Sequence, residues 1–120
     1  MSQLYISGLY ESRERLRHVR RRFHAVGRHE VKASWLDEST PRDTVTREQS
    51  LEAAYRDLAE IRDCDIFILD TLDEDPHGGR EVELGYAHAK HKLLCLVGPE
   101  RNVFHSLIPA RYPNWEAWLG

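Results

Sequence analysis

No apolar run in these 120 residues approaches the roughly 20 residues that a bilayer-spanning helix needs. The opening "MSQLYISGLY" also lacks the basic flank and apolar stretch of a secretory signal. A soluble, cytoplasmic protein is expected. Cysteine is scarce. Cys64 and Cys95 each lie in an apolar run that reads as a strand, which favours buried free thiols over a disulfide or a metal pair. No "GK[ST]" follows the Gly78-Gly79 pair, so there is no P-loop, and no "GxGxxG" offers a dinucleotide site. No glycine-flanked serine forms a nucleophile elbow, which argues against acyl transfer. His88 and His91 are three apart on one helix face with His77 upstream, but without an identified carboxylate partner they read as surface histidines. Neither metal nor cofactor is expected. Repeats, low-complexity tracts and linkers are missing too. At 41% hydrophobic, the chain suffices for one core and one domain over residues 1–120.

The net charge of -3 argues against a general nucleic-acid binder, yet it is unevenly spread. Arg13, Arg15, Arg17, Arg20, Arg21 and Arg22 crowd one stretch, and "DTLDEDP", Asp70 to Pro76, is an acidic loop. The basic stretch is either the solvated face of an amphipathic helix or an anion-binding surface.

Hydrophobic periodicity supplies the architecture. "QLYIS", Gln3 to Ser7, is a short strand followed by Gly8. Leu16, Val19, Phe23 and Val26 then recur at helical intervals, with Gly27 as the stop. "EVKASWL" alternates Val31, Ala33 and Trp35 as a second strand, and "DESTPRDT" is a loop of turn formers. A helix from about Thr44 to Arg62 turns Leu51, Ala54, Leu58 and Ile61 inward. "CDIFILD" and "KLLCLVG" are continuous apolar runs, as expected of strands covered on both faces. Between them a helix runs from about Arg80 to His91. "NVFHSL" is one helical turn, and "NWEAWL" a terminal helix whose Trp115 and Trp118 pack as a lid on the core. Strands alternating with helices imply right-handed crossovers. The expected fold is a small doubly wound α/β domain, Rossmann-like or flavodoxin-like, with a parallel sheet of four or five strands.

In such sheets ligands bind at the carboxyl ends of the strands. There the chain carries "SGLY", "DTLDEDPHGG" and "GPERN". Glu83 starts the helix after the third strand, among Val82, Leu84, Tyr86 and Ala87. An ionised carboxylate in so apolar a setting is costly unless hydrogen-bonded or put to use. For Glu81, stabilisation by the helix macrodipole is explanation enough. Tyr5 points toward the same crevice, while Asp57 either reaches it or is solvated.

Together "LYISG", "RDLAEIRDCDIFILD" and "GGREVELGYAHAKHKLLCLVGP" resemble the nucleoside 2-deoxyribosyltransferase family and its relatives, the 2'-deoxynucleoside 5'-phosphate N-hydrolases. The likeness runs from Leu4 to about Leu107, and "ELGYA" is its most specific piece. It implies an N-glycosidic-bond enzyme in which Glu83 is the nucleophile on the anomeric carbon, Tyr5 hydrogen-bonds that nucleophile, and Asp57 is the acid or sugar-orienting group. Water or a second base then resolves the glycosyl-enzyme with net retention.

Six residues before the nucleophile the transferases have an aspartate and the nucleotide hydrolases a serine. Here His77 stands in that place, able to donate to a base carbonyl or, when protonated, to a phosphate. If the substrate is a nucleotide, its phosphate needs backbone N–H groups and cations. Ser7, Gly8, Ser12 and Arg13 are candidates, with Gly79 and Arg80 after the acidic loop. The plainer reading is that Ser12 caps the helix and Arg13 is solvated. The resemblance further implies a homodimer or larger assembly whose sites are completed by "PERNVFHSL" of a neighbouring subunit, through Asn102, His105 or Ser106. A non-catalytic nucleotide-sensing module using the same crevice is the alternative.

Overall fold

The computed structural model describes residues 2–39 and 44–120, so the centre of the "DESTPRDT" loop lies outside the described residues. Among the described residues, five strands form one all-parallel sheet in the order β2-β1-β3-β4-β5. They are β1 (Ser2–Ser7), β2 (His29–Val31), β3 (Ile66–Asp70), β4 (Leu93–Val97) and β5 (Ala110–Tyr112). The helices are α1 (Arg13–Val26), α2 (Arg47–Asp63), α3 (Gly79–Ala89) and α4 (Trp115–Leu119). β1 pairs with β2 and β3, so the connections on either side of it run in opposite directions along the sheet. That reversal opens a crevice at the carboxyl ends of β1 and β3.

The expected α/β alternation holds, and local chemistry explains the element ends. Gly27 closes α1 in the left-handed region at φ 79°, its N–H bonded to the Phe23 carbonyl. Thr46 and Gln49 form a capping box at the start of α2. Trp115 and Trp118 meet Phe23 edge-on, covering the core as the sequence suggests. Both cysteines are free and buried. Cys95 lies in β4, but Cys64 caps the end of α2 and is not part of a strand.

Several expectations are corrected. β2 stops at Val31, and Ser34–Asp37 winds into a 3-10 helix in place of more strand. The alternation of Ala33 and Trp35 arises because the Trp35 indole turns inward and donates to the Ile6 carbonyl at 2.8 Å. Val26 is exposed at the end of α1, and Leu51 and Ala54 are exposed on α2, where only Ile61 is fully buried. β5 has no separate sequence signal: "ARY" is too short for periodicity and is recruited by pairing with Cys95 to Val97.

The arginines of α1 are more than a solvated face. Arg15 grips Asp70 and Asp73, Arg17 donates to the Leu36 carbonyl, Arg20 pairs with Asp37 and Arg22 with Glu116. Asp70 is the buried hub of this lacework. It accepts from Arg15, from the Trp115 indole at 2.7 Å and from the Leu72 N–H, tying β3, α1 and α4 together. Such a buried carboxylate is tolerable only because every partner is present.

Candidate active site

Residues two apart on a strand face the same side of the sheet, so Tyr5 and Ser7 of β1 point together toward α3. There Glu83 receives both. The Tyr5 hydroxyl donates to Oε2 at 2.7 Å and the Ser7 hydroxyl to Oε1 at 2.7 Å. Tyr5 and Ser7 are fully buried, and Glu83 is partly so, with its free edge in a cleft. Burial pushes the Glu83 carboxyl above its usual range, while the Ser7 and Tyr5 hydrogen bonds pull it back. The Tyr5 phenol is driven well above its ordinary value by burial and then by the Glu83 charge, so it stays protonated and donates.

α2 brings a second carboxyl to the same space. Asp57 lines the cleft with Glu83, which decides between its two sequence readings in favour of the crevice. Its Oδ1 is buried with no hydrogen-bond partner among the described residues, although Arg56 stands 3.7 Å away. Burial, then the Glu83 charge, raises its pKa from 3.8 to about 7. The site therefore holds two carboxyls in unlike settings. One is hydrogen-bonded by two hydroxyls; the other has little to stabilise its charge. That asymmetry sets a carboxyl whose charge is supported by two hydrogen bonds beside one that carries a proton near neutrality.

The cleft has a volume of about 740 Å³, within the range of small-molecule sites. Gly8, His77 and Gly79 line it, as do Tyr10, Trp35, Glu38, Gln49 and Arg56, which the sequence does not single out. Their signal is absent because the 3-10 segment and α2 bring them together only in three dimensions. Glu60, also unannounced, holds the Ser34 N–H and hydroxyl and so fixes the cleft-side end of that segment.

The phosphate candidates are largely engaged elsewhere. Ser7 serves Glu83. Ser12 makes no side-chain cap on α1; its hydroxyl donates to Asp73 at 2.6 Å. Arg13 donates to the Tyr10 carbonyl and lies 3.7 Å over the Tyr10 ring. Arg80 borders the cleft but is buried, its Nη1 donating to the carbonyls of Asp70 and Asp73. It is a strut of the acidic loop.

Asn102 caps the 3-10 helix Val103–Leu107 and lines a separate depression on the far side of Arg80. His105 is fully buried, accepting from the Arg101 N–H at Nδ1, so its Nε2–H donates to Glu81 at 2.9 Å. Glu81 thus has a specific partner beyond the helix dipole. The Ser106 hydroxyl donates to the Val103 carbonyl within its own turn.

A family model described as nucleoside 2-deoxyribosyltransferase matches residues 4–110. No curated protein matches the chain. Among solved structures, a 2-deoxyribosyltransferase from Bacillus psychrosaccharolyticus superposes with a TM-score of 0.79 at 20% identity, covering 99% of this chain and 91% of that one. A Clostridium botulinum CMP N-glycosidase gives 0.61 at 17% identity over 98% and 94% of the two chains. A Leishmania mexicana 2-desoxiribosyltransferase gives 0.62 at 20% identity over 83% and 66%. At these identities the likeness carries the fold.

Proposed function

Because this chain belongs to the nucleoside 2-deoxyribosyltransferase family, we propose that its cleft cleaves the N-glycosidic bond of a (deoxy)nucleoside or its 5'-monophosphate, with Glu83 as nucleophile. One observation carries the reading: a carboxylate with both oxygens held by Tyr5 and Ser7 shares its cleft with Asp57, a carboxyl that titrates at about 7.

The steps follow from that pair. Asp57 in its neutral form gives its proton to the departing base while the C1'–N bond breaks, its electron pair going to the base nitrogen. A Glu83 oxygen forms the new bond to C1', giving a glycosyl ester. The Asp57 carboxylate then takes a proton from water, or from a second base, as that nucleophile attacks C1' and releases Glu83. Two inversions leave the configuration retained. Tyr5 holds the carboxylate in place throughout. Trp35 and Tyr10 supply aromatic surface in the cleft, and His77, also on its lining, is the hydrogen-bond donor for the base.

A second copy of the chain completes this arrangement. Leu51, Tyr55 and Val82 are exposed on α2 and α3, as are Val103 and Phe104 beside Asn102. Apolar surface of this kind on adjacent helices supports an assembly, through which "PERNVFHSL" of one copy meets the cleft of another.

The test is a product assay. Common nucleosides and their 5'-monophosphates are incubated with purified protein, with and without a second free base, and released base is followed by chromatography. Base release without acceptor indicates hydrolysis; release only with acceptor indicates transfer. An intact panel contradicts the enzymatic reading and favours a nucleotide-binding module.

A further inference from the structure

Sequence alone offers Ser7 as a contact for a substrate phosphate. Its position suits another task. Ser7 is the last residue of β1, is fully buried, and spends its hydroxyl on Glu83 Oε1 at 2.7 Å. Tyr5, two residues earlier on the same strand face, holds Oε2 at 2.7 Å.

A carboxylate held by one donor can still rotate about its last C–C bond. Held through both oxygens by groups of one rigid strand, it has a fixed plane, and its remaining lone pairs keep one direction. We propose that Ser7 is a positioning residue for the reaction at Glu83: with Tyr5 it locks the carboxylate plane and so fixes the direction of the nucleophile's remaining lone pairs. This rests on the proposed reading of Glu83 as the nucleophile.

The surroundings make a second donor necessary. Tyr5 faces Glu83 from β1, Asp57 and Glu60 from α2, and Asp75 from the loop after β3. Arg56 and Glu38, which pair with each other, and His77 also line the cleft. Arg80 also lines the cleft, with Nη1 donating to the carbonyls of Asp70 and Asp73 and Nε 3.9 Å from Asp75. Burial and the acidic neighbours all favour a protonated, inert Glu83. The opposing groups at Glu83 itself are the two hydroxyls. A hydrogen bond to a charged group is worth more than one between neutral groups, so losing Ser7 is felt at the nucleophile.

Ser7→Ala removes one oxygen from a packed site and leaves the strand intact. Wild type, Ser7→Ala and Ser7→Thr are compared across pH on 2'-deoxynucleosides and their 5'-monophosphates, and the Glu83 carboxyl is titrated by carbon-13 NMR. Ser7→Ala is expected to lower kcat at least about tenfold, with KM nearly unchanged. The acid limb of the pH profile and the Glu83 titration should both move up by about one unit. Ser7→Thr, which restores the hydroxyl, recovers much of the loss.

A rise in KM confined to monophosphates, with kcat unchanged, would make Ser7 a phosphate contact and overturn the proposal. So would an unmoved acid limb and titration. If the wild type cleaves nothing in the panel, the nucleophile reading itself fails and takes this role with it; turnover that is indifferent to Ser7 refutes this role alone.

Discussion

Asp57 sets the pH behaviour of the site. Its carboxyl titrates at about 7 in the fold against 3.8 when free. Between those values the folded protein binds more protons than the unfolded chain, so this group's contribution lowers stability as pH rises from about 3.8 to 7, and levels off above. Asp57→Asn removes that penalty. Its melting temperature should exceed that of the wild type at pH 8 by roughly 4 °C and differ little near pH 4, which calorimetry at both pH values checks. Its turnover should fall by about 10²-fold or more, because the proton donor is gone. In the wild type, turnover should decline above pH 7 as Asp57 loses its proton. Glu83→Gln keeps the shape of the nucleophile without its charge and should cost at least about a thousandfold in kcat. A carboxylate among Leu84 and Ala87 drew attention to Glu83 in the sequence, and the family resemblance supplied the role proposed for it. The engagements of Ser7, Ser12 and Arg80 were not visible there, since their partners are brought near only by folding.

Among the elements, Asp70 joins β3, α1 and α4, and the sequence marked it only as a strand end. Asp70→Ala strands the buried Trp115 N–H and leaves Arg15 with Asp73 alone, which should cost about 3 kcal/mol in urea unfolding. The turn after β4 is equally constrained. Gly98 has φ 120°, and a Cβ there would stand 2.6 Å from Thr71 Oγ1 and 2.9 Å from the Leu72 nitrogen. Gly98→Ala should therefore cost at least about 2 kcal/mol and disturb the Arg101 bond to the Thr71 carbonyl. β1, β3, β4 and the helices between them were legible because long apolar runs and helical stripes dominate their local sequence. β5 and the 3-10 segment at Trp35 were not, since pairing and one indole hydrogen bond determine them. α2 misled in its first half, where apolar residues stay exposed on the isolated chain.

For the whole molecule, the doubly wound α/β class could be anticipated because alternating strands and helices admit few topologies. Assembly leaves no such periodic mark. Exposed Leu51, Tyr55, Val82, Val103 and Phe104 support association, so sedimentation should show a dimer or larger species and Tyr55→Glu should shift it toward monomer. Covalent chemistry at Glu83 is the centre of the proposed mechanism. The most direct test is rapid acid quench of the protein with a cleaved 2'-deoxynucleoside, followed by peptide mass mapping. A deoxyribosyl adduct on the peptide carrying Glu83, absent from Glu83→Gln, is the expected result. Full turnover by Glu83→Gln, or an adduct on another residue, would contradict the account.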